Sequence, residues 1–314
     1  MKKLISLVLV LIMLTSVLTL AGCTTPSKNE PASTPNATPA TAAPAETTDE
    51  PTQGTPAERQ VLRVGMECAY APFNWSQESG TLSNGATALP IQGTDYYAYG
   101  YDVMVAQMIA DVLDMDLEIY KVEWASIGLG LDVNDYDCII AGMGYTPTRA
   151  ELYEFTTEYY LRGMSITVNA NGKFANITKL SDFAGQSPVS ITQMGTAWVE
   201  ALSEIPDAKL GTNYETTAEC FMAVSNNVAD LCLVDAPTSI SAAMTDASLK
   251  ILEFEPGEGL VPPADGSNRV CIATKKGNTD LRDALQSALD ALEWDEAKMN
   301  ALMEEAISLQ PAMS

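Results

Sequence analysis

The stretch 137–151 constrains the fold most, because it joins an apolar run directly to the start of a helix. Residues 138–140 read Cys-Ile-Ile, and a short run of this kind predicts a buried β-strand. Thr146 is a suitable helix N-cap, and Pro147 suits the first helical position. The sequence therefore predicts a strand, a glycine-containing turn and a helix in direct succession.

The same stretch carries groups that suit a carboxylate. Gly144 lets the backbone approach a ligand closely, and the start of the helix offers unpaired N–H groups to an anion. Arg149 adds a planar guanidinium, which can bind a carboxylate through two hydrogen bonds. The stretch thus predicts a carboxylate-binding corner, although an arginine in a first helical turn can equally be an exposed surface residue.

Strands and helices alternate along most of the chain, which predicts an α/β fold with mainly parallel sheets. Segment 76–99 is rich in Gly, Ser, Asn and Thr and predicts a long loop or an irregular hairpin. The predicted strands are 61–65, 117–122, 138–140, 164–168, 188–192, 229–235, 249–254 and 269–274. The predicted helices are 101–113, short ones within 124–131 and 178–183, one from 147, one that opens within 193–198 and ends near 204, and two within 281–309.

Composition excludes several classes of function. With 17 Lys plus Arg against 41 Asp plus Glu, the formal net charge is −24, which argues against binding nucleic acid or anionic lipid. The chain contains no histidine, which excludes histidine-based nucleophile pairs and most zinc sites. Its six cysteines include no C-x-x-C pair. We therefore expect no metal ion and no cofactor.

The N-terminus has the pattern of a secretory signal, with two lysines before an apolar run at 4–20. The L-A-G-C that follows resembles the lipobox of bacterial lipoproteins, which implies that residues 1–22 are removed and that Cys23 is lipidated. A membrane-spanning helix is the alternative, but the run is short for one. Residues 23–58 are rich in Thr, Pro and Ala and predict a disordered tether, with a glycosylated stalk left open.

Three predicted strand ends offer complementary groups: Arg149, a second helix start at 195–197, and the carboxylate of Asp235. Together they would hold a zwitterion, with its carboxylate on Arg149 and its ammonium on Asp235. Asp235 could instead cap the next helix at Pro237, and the loop aromatics could simply fill the core. Those aromatics are Tyr70, Phe73, Trp75 and Trp124.

Seven motifs follow one another along the chain. They are V-L-R-V-G at 61–65, A-Y-A-P-F at 69–73, G-Y-D-V-M-V-A at 100–106, W-A-S-I-G-L-G-L at 124–131, Y-D-C-I-I-A-G-M-G-Y-T-P-T-R-A-E at 136–151, Q-M-G-T-A at 193–197 and A-D-L-C-L-V-D at 229–235. In this order they resemble the bacterial family 3 solute-binding proteins, the receptors of polar amino acid ABC transporters. The resemblance extends over residues 61–309.

The resemblance implies a two-lobed fold of the type II periplasmic-binding-protein class, in which each lobe is a mainly parallel sheet flanked by helices. Lobe 1 would comprise 61–159 and 268–314, and lobe 2 would comprise 160–267. Crossover segments at 160–165 and 259–267 would bend when a ligand bridges the lobes.

The resemblance also implies which residues contact the backbone groups of an amino acid ligand. Arg149 and the backbone N–H groups of Thr196 and Ala197 would bind the α-carboxylate. Asp235 would bind the ammonium group. These residues belong to both predicted lobes, so their ligand contacts would favour the closed form.

A side-chain subsite is implied as well. Tyr70 and Trp124 would enclose the ligand side chain, and Glu67 occupies a position that is polar or acidic in members with polar or cationic ligands. Gly142 and Gly144 would line the wall of the first lobe. Family members often have Ser or Thr at these two positions, so here only backbone contacts remain.

Two further departures concern the identity of the ligand. Ala197 replaces a frequent hydroxyl residue, and segment 76–99 is longer than usual, so that it could cover or narrow the cleft. We expect a lipid-anchored, extracytoplasmic, monomeric binding protein that captures an amino acid, with a polar or cationic one favoured. It would deliver this ligand to an ABC transporter permease in the membrane.

Two other functions stay open at this point. A ligand-binding sensor receptor would bind the same ligand without serving a transporter. A two-lobed enzyme of the dehydratase type would use Glu67 and Asp235 as a carboxylate pair. The lack of histidine argues against the enzyme, and we predict a binding protein without catalytic residues.

Overall fold

The computed structural model describes residues 59–261 and 263–310. The predicted signal peptide at 1–22, the lipidated Cys23 and the tether at 23–58 lie outside the described residues. Within the two described ranges, no helix has the length and apolar character that crossing a bilayer requires.

The elements alternate as the sequence predicts. The strands are β1 Val61–Met66, β2 Ala69–Tyr70, β3 Asn74–Gln77, β4 Leu89–Pro90, β5 Tyr97–Tyr99, β6 Asp116–Lys121, β7 Cys138–Ile139, β8 Tyr153–Leu161, β9 Met164–Asn169, β10 Val189–Ile191, β11 Lys209–Leu210, β12 Leu231–Asp235, β13 Leu249–Ile251 and β14 Arg269–Lys275. The helices are α1 Tyr101–Val112, α2 Ile127–Asp132, α3 Pro147–Leu152, α4 Trp198–Ala201, α5 Thr217–Ser225, α6 Ala236–Thr245, α7 Thr279–Ala291 and α8 Glu296–Leu309. Short 3-10 turns lie at Trp124–Ser126, Leu180–Phe183 and Leu202–Glu204.

Two five-stranded sheets form the centres of the two lobes. The first has the strand order β6-β1-β7-β14-β8, and the second has the order β11-β10-β12-β9-β13. In each sheet one strand runs against the others, namely β14 in the first and β9 in the second. A smaller antiparallel sheet of order β2-β3-β5-β4 adjoins the first lobe. The predicted two-lobed α/β fold is confirmed.

Strand β12 shows how the second lobe is built, because all five of its residues are buried. Alternate residues belong to two separate apolar clusters, one containing Trp198 and the other containing Phe221. Successive side chains of a strand point to opposite faces, so helices cover this sheet on both sides. The strand therefore carries Asp235, its last residue, to the edge of a rigid core.

The chain passes between the two sheets twice, once between β8 and β9 and again before β14. The two crossings lie side by side, since the backbone N–H of Arg162 donates to the carbonyl of Asn268 at 3.0 Å. Adjacent short crossings of this kind are where two-lobed proteins bend. The exact ends of the lobes at 159/160 and 267/268 stay predictions.

Some local predictions were wrong or incomplete. The helix predicted to end near residue 204 is a single α-helical turn, α4, followed by the 3-10 turn Leu202–Glu204. Strand β8 is not predicted, because its sequence Y-E-F-T-T-E-Y-Y-L has no strict alternation and its Glu and Thr residues lower its apolar character. Segment 76–99, predicted as a loop or irregular hairpin, contributes to β3 and supplies β4 and β5 of the small sheet.

Candidate functional site

Asp235 ends β12 and precedes the first turn of α6, with 2% of its surface exposed. Its side chain makes no capping hydrogen bond, so capping of α6 is not the role of this carboxylate. The carboxylate accepts hydrogen bonds from Nε1 of Trp198 at 3.2 Å and from the hydroxyl of Tyr70. It also forms an ion pair with Nε of Arg162 at 3.1 Å. The acid is therefore bonded to both lobes and to the first crossing.

Arg162 is a site residue that the sequence patterns do not reveal. It is buried in the first crossing, and its Nη1 and Nη2 donate to the carbonyls of Gly142 and Ser267, each at 3.1 Å. Its guanidinium carbon lies 4.4 Å from the ring centroid of Trp198. Burial lowers the pKa of Arg162 to about 10, so the group stays charged at neutral pH. One cation thus joins the wall of the first lobe, both crossings and the acid of the second lobe.

Gly142 and Gly144 leave the space that two larger side chains occupy. A Cβ atom on Gly144 would collide with the guanidinium of Arg162 and would lie 2.7 Å from the carbonyl of Ser267. A Cβ atom on Gly142 would lie 2.6 Å from the ring of Tyr70, and the φ of Gly142 is +62°. The glycines at 142 and 144 are the one feature of the sequence that indicates a large side chain, here Arg162, packed against this wall.

Arg149 follows the predicted N-cap, since Oγ1 of Thr146 accepts a hydrogen bond from its backbone N–H at 3.1 Å. Its Nη1 donates to the carbonyl of Gly144 at 2.7 Å, and its Nη2 donates to the carbonyl of Gly195 at 3.0 Å. The guanidinium carbon lies 5.3 Å from the ring centroid of Trp124. Burial, and then the charge of Arg162, lower the pKa of Arg149 to about 10.

Arg149 is therefore a half-buried cation bonded to neutral carbonyls. No carboxylate in the part of the chain that the structure describes forms an ion pair with it. A partly desolvated charge without a counter-ion is unfavourable, and an incoming anion would relieve that. The guanidinium fork has the geometry to bind a carboxylate through two hydrogen bonds.

Glu67 is 3% exposed and contacts the second lobe. Its two carboxyl oxygens lie 3.1 and 3.2 Å from Nε2 of Gln193, which donates to them and also to the carbonyl of Glu215 at 2.8 Å. Burial raises the pKa of Glu67 to about 7, against an opposing effect of the Gln193 hydrogen bond. Glu67 can therefore be ionised or neutral under physiological conditions.

The remaining predicted residues lie between these charged groups. Tyr70 stacks on Phe73, with ring centroids 4.9 Å apart and an interplanar angle of 8°. Thr196 donates its hydroxyl hydrogen to the carbonyl of Gln193 at 2.8 Å, and Ala197 directly precedes α4. Because α4 has only four residues, its dipole adds little to anion binding. The longer helix that the sequence predicts here would have contributed more.

All the predicted ligand-binding residues line one cleft between the lobes. They are Glu67, Tyr70, Trp124, Gly142, Gly144, Arg149, Thr196, Ala197 and Asp235, and Arg162, Gln193, Trp198 and Thr217 are among the further lining residues. The cavity volume of the cleft is about 10 Å³, which is room for roughly one water molecule. The cleft is narrow because side-chain contacts from Tyr70, Arg149 and Glu67 bridge it directly.

A buried hydrogen-bond network holds the wall of the first lobe. Asp102 accepts from Nδ2 of Asn74 and from the hydroxyl of Tyr159, both at 2.7 Å. The hydroxyl of Tyr159 accepts from the backbone N–H of Gly142 at 3.1 Å, and Oδ1 of Asn74 accepts from the backbone N–H of Cys68 at 2.7 Å. Burial raises the pKa of Asp102 to about 7. The network fixes the two loops that carry Gly142 and Glu67.

The cysteines take no visible part in this chemistry. The five that the structure describes are buried and unpaired, and burial raises the pKa of each thiol. Neutral buried thiols are unreactive. No group of three or more Cys, Asp or Glu residues within 59–261 and 263–310 is arranged to hold a metal ion.

Comparison with known proteins gives consistent relatives. The L-cystine-binding protein TcyJ of Escherichia coli strain K12 is 24% identical over 248 residues, which cover 79% of this chain and 82% of that protein. The L-arginine-binding protein of Pseudomonas aeruginosa is 24% identical over 237 residues, which cover 74% of this chain and 82% of that protein.

One solved structure similar in fold is an amino acid ABC transporter substrate-binding protein from Streptococcus pneumoniae bound to L-arginine. It has a TM-score of 0.64 and 24% identity, and the match covers 80% of this chain and 95% of that one. The two relatives named above are binding proteins, which agrees with the prediction of a binding protein rather than an enzyme. The family model described as bacterial extracellular solute-binding proteins, family 3, matches residues 62–305. The chain therefore belongs to the family 3 bacterial extracellular solute-binding proteins.

Proposed function

We propose that this protein captures one free amino acid between its two lobes and delivers it to the permease of an ABC importer. The observation that carries the proposal is the pair of opposite charges in one cleft. Arg149 is a half-buried cation whose hydrogen bonds among the described residues go to carbonyls, and Asp235 contributes a buried carboxylate from the other lobe. This arrangement suits a zwitterion.

The ligand carboxylate would replace the carbonyl of Gly195 on Nη2 of Arg149. A charged acceptor binds a guanidinium more strongly than a neutral carbonyl does, so this exchange favours the ligand. The backbone N–H groups of Thr196 and Ala197 lie beside the same carbonyl in the chain and would add two donors. The two lobes would then share the carboxylate.

The ligand ammonium would bind Oδ2 of Asp235. Oδ1 already accepts a hydrogen bond from Trp198 and forms the ion pair with Arg162, whereas Oδ2 accepts one hydrogen bond, from the hydroxyl of Tyr70. A carboxylate oxygen accepts about two hydrogen bonds, so Oδ2 has one place left. Because Arg149 and Asp235 belong to different lobes, a ligand bonded to both would favour the closed form over the open one.

A polar or cationic side chain fits the rest of the cleft. Glu67 offers a buried carboxyl group, and Tyr70 and Trp124 offer rings on which a cation can lie. The relatives named as cystine-binding and arginine-binding proteins support an amino acid ligand of this polarity.

The protein would act outside the cytoplasm as a lipid-anchored monomer. The L-A-G-C sequence before the tether supports lipidation of Cys23, and membership of an extracellular family supports the location. Cys23→Ala should move the protein from the membrane fraction to the soluble fraction, and unchanged fractionation would contradict the anchor.

A thermal-shift screen of the soluble fragment 24–314 against the common amino acids tests the proposal. A ligand that binds only the folded form raises the Tm, by an amount that grows with its concentration over Kd. We expect a rise for a chemically related subset, with the ligand recovered unchanged. No rise with any amino acid, or turnover of the ligand, would contradict the proposal. Loss of uptake on deletion of the partner permease would distinguish a transporter from a sensor.

A further inference from the structure

A second cavity between the lobes adjoins the ligand cleft. Its volume is about 320 Å³, so it is far larger than the space left in the cleft itself. It is lined from the first lobe by Cys68, Ala69, Ala71, Trp75, Ser76 and Lys121, from the second by Thr217, Ala218, Phe221, Thr238, Ser241 and Ala242, and by Gln310 near the C-terminus. We refer to it as the distal cavity.

The distal cavity and the cleft share one lining residue and one wall. Thr217, the first residue of α5, lines both spaces. Tyr70 lines the cleft, while its neighbours Ala69 and Ala71 line the distal cavity. Successive residues of a strand face opposite sides, so β2 is the partition between the two spaces. A ligand that extends past Glu67 and Thr217 would enter the distal cavity.

A buried hydroxyl in its lining lacks a partner. Thr238 is 2% exposed, and its Oγ1 makes no hydrogen bond within the described part of the chain. Buried hydroxyl groups in folded proteins nearly always have a partner, because leaving one unpaired is unfavourable. Thr238 lies in the first turn of α6, directly after the ammonium-binding candidate Asp235. It is a donor available to a bound group.

The charge of the lining selects the chemistry of that group. Among the described residues that line the distal cavity, Lys121 is the one charged residue, and the others are apolar, hydroxyl-bearing or amide-bearing. A cation and the unpaired hydroxyl of Thr238 suit a carboxylate and disfavour an ammonium group. Glu67, which borders the partition, supplies the opposite charge, and the positive charge of Lys121 opposes the rise in the pKa of Glu67.

We propose that the distal cavity binds the far end of an extended amino acid that carries a second carboxylate. The inference rests on the proposed function, since the near end of the ligand would occupy the cleft between Arg149 and Asp235. A diamino dicarboxylic acid matches both ends, with its second ammonium near Glu67 and its second carboxylate near Lys121 and Thr238. Both lobes line the distal cavity, so the far end of the ligand would also favour the closed form.

Titration calorimetry with four probes tests the inference: L-alanine, L-lysine, meso-diaminopimelate and L-cystathionine. The two dicarboxylic probes should bind at least about tenfold more tightly than L-alanine. Lys121→Gln should weaken the dicarboxylic probes about fivefold, as expected for a partly solvated ion pair, and leave L-alanine within about twofold. Lys276→Gln removes another exposed lysine that lines neither cavity and should change nothing.

Ala218→Trp provides an independent test by filling the distal cavity. It should abolish the advantage of the dicarboxylic probes while L-alanine still binds. The inference is overturned if these probes bind no better than L-alanine, or if Ala218→Trp and Lys121→Gln weaken all four probes equally. In either case the proposed function is retained if L-alanine still binds and its binding depends on Arg149. If no probe binds, both the proposed function and the role of the distal cavity are rejected. If Ala218→Trp does not fold, the test rests on Lys121→Gln alone, because Lys121 is exposed and its substitution should not disturb folding.

Discussion

Nε of Arg162 lies 3.1 Å from the carboxylate of Asp235, and both side chains are almost completely buried, with 4% and 3% exposed. Burial raises the pKa of Asp235 well above its usual range. A guanidinium at 3.1 Å favours the ionised form of the carboxylate. Only an ionised carboxylate attracts an ammonium group strongly. We infer that Arg162 is a positioning residue that keeps Asp235 charged and holds it in place.

Several other titratable groups lie near the ion pair between Arg162 and Asp235. Tyr70 faces Asp235 from β2, and Trp198, which does not titrate, faces it from α4. Burial lowers the pKa of Arg162, and its electrostatic interaction with Tyr159, Cys271 and Asp102 opposes this by raising it. The charge of Arg162 in turn adds to the effect of burial in lowering the pKa of Arg149. Glu67 lines the same cleft. Glu67 and Asp102 have pKa values of about 7, so their protonation must be controlled in any measurement.

Arg162→Gln should make amino acid binding release protons. Without the guanidinium, burial favours the protonated carboxyl of Asp235, and an ammonium group would have to displace that proton. Calorimetry in two buffers of different ionisation enthalpy should show about one more proton released per ligand than in the parent protein. The comparison is made in a Glu67→Gln background. Arg162→Lys should restore the parent value, and equal proton release with Gln and Lys would contradict the role.

Arg149→Ala should weaken amino acid binding by about 2 to 5 kcal/mol, because it leaves a desolvated ligand carboxylate unpaired. Arg149→Lys should recover only part of the loss, since an ammonium group lacks the planar fork. Calorimetry with the best ligand of the screen measures both. Arg282→Ala is the matched control, because Arg282 pairs with its neighbour Asp283 on α7 and does not line the cleft. Affinity unchanged by Arg149→Ala would reject the proposed carboxylate site.

Binding of L-arginine should strengthen as the pH rises through about 7. The pKa of Glu67 is raised to about 7, so the group is mostly neutral below that pH and mostly ionised above it. An ionised carboxylate attracts a cationic side chain, which predicts a roughly tenfold gain in affinity between about pH 6 and about pH 8. Glu67→Gln should remove this dependence and leave neutral amino acids little affected. A parallel loss for basic and neutral ligands would show that Glu67 does not select the side chain.

Asp102 should make the folded state less stable as the pH rises. Its folded-state pKa of about 7 exceeds the ordinary value of 3.8 for an aspartate, so the folded protein binds more protons than the unfolded chain between these values. The free energy of unfolding should therefore fall from about pH 4 to about pH 7, by on the order of a few kcal/mol. Asp102→Asn should flatten this part of the profile in urea unfolding experiments. A variant whose profile runs parallel to that of the parent would contradict the assignment.

Gly144→Ser should destabilise the protein by about 1 to 3 kcal/mol through overpacking, since its Cβ would meet Arg162 and the carbonyl of Ser267. Shortening Arg162 to Ala removes one of these contacts, so the two changes together should be less destabilising than their sum. Urea unfolding of the single and double variants measures the coupling. Gly163→Ala is the control, because the nearest atom to its Cβ would be 3.7 Å away. Strict additivity would show that Gly144 and Arg162 do not compete for space.

Local patterns in the sequence predict what short stretches of chain decide by themselves. The N-cap at Thr146 with Pro147 in the first helical position starts α3 as expected, and the apolar run before Asp235 becomes β12. Hydrophobic periodicity and capping depend on neighbouring residues, so they are readable without a structure. The ordered motifs also indicate which strand ends lie in the cleft, and the structure brings Arg149 and Asp235 to the same cleft.

Contacts between residues far apart in the chain are the part that the sequence leaves open. The ion pair between Arg162 and Asp235 and the hydrogen bonds between Glu67 and Gln193 each join separate elements. Nothing in the sequence around Arg162 distinguishes it from a solvated arginine, and only the absence of side chains at Gly142 and Gly144 hints that something fills that space.

The sequence by itself determined the α/β class and the order of most elements, because these follow from periodicity, capping and spacing along one chain. The further cleft residues were implied by the order of the motifs and the family that this order resembles. The tertiary structure decided the partner of each charged group, because ion pairing and burial depend on which strand ends the two sheets bring together. Burial raises the pKa of Asp235 and Glu67 and lowers that of Arg149, and it thereby affects the chemistry that the cleft can recognise.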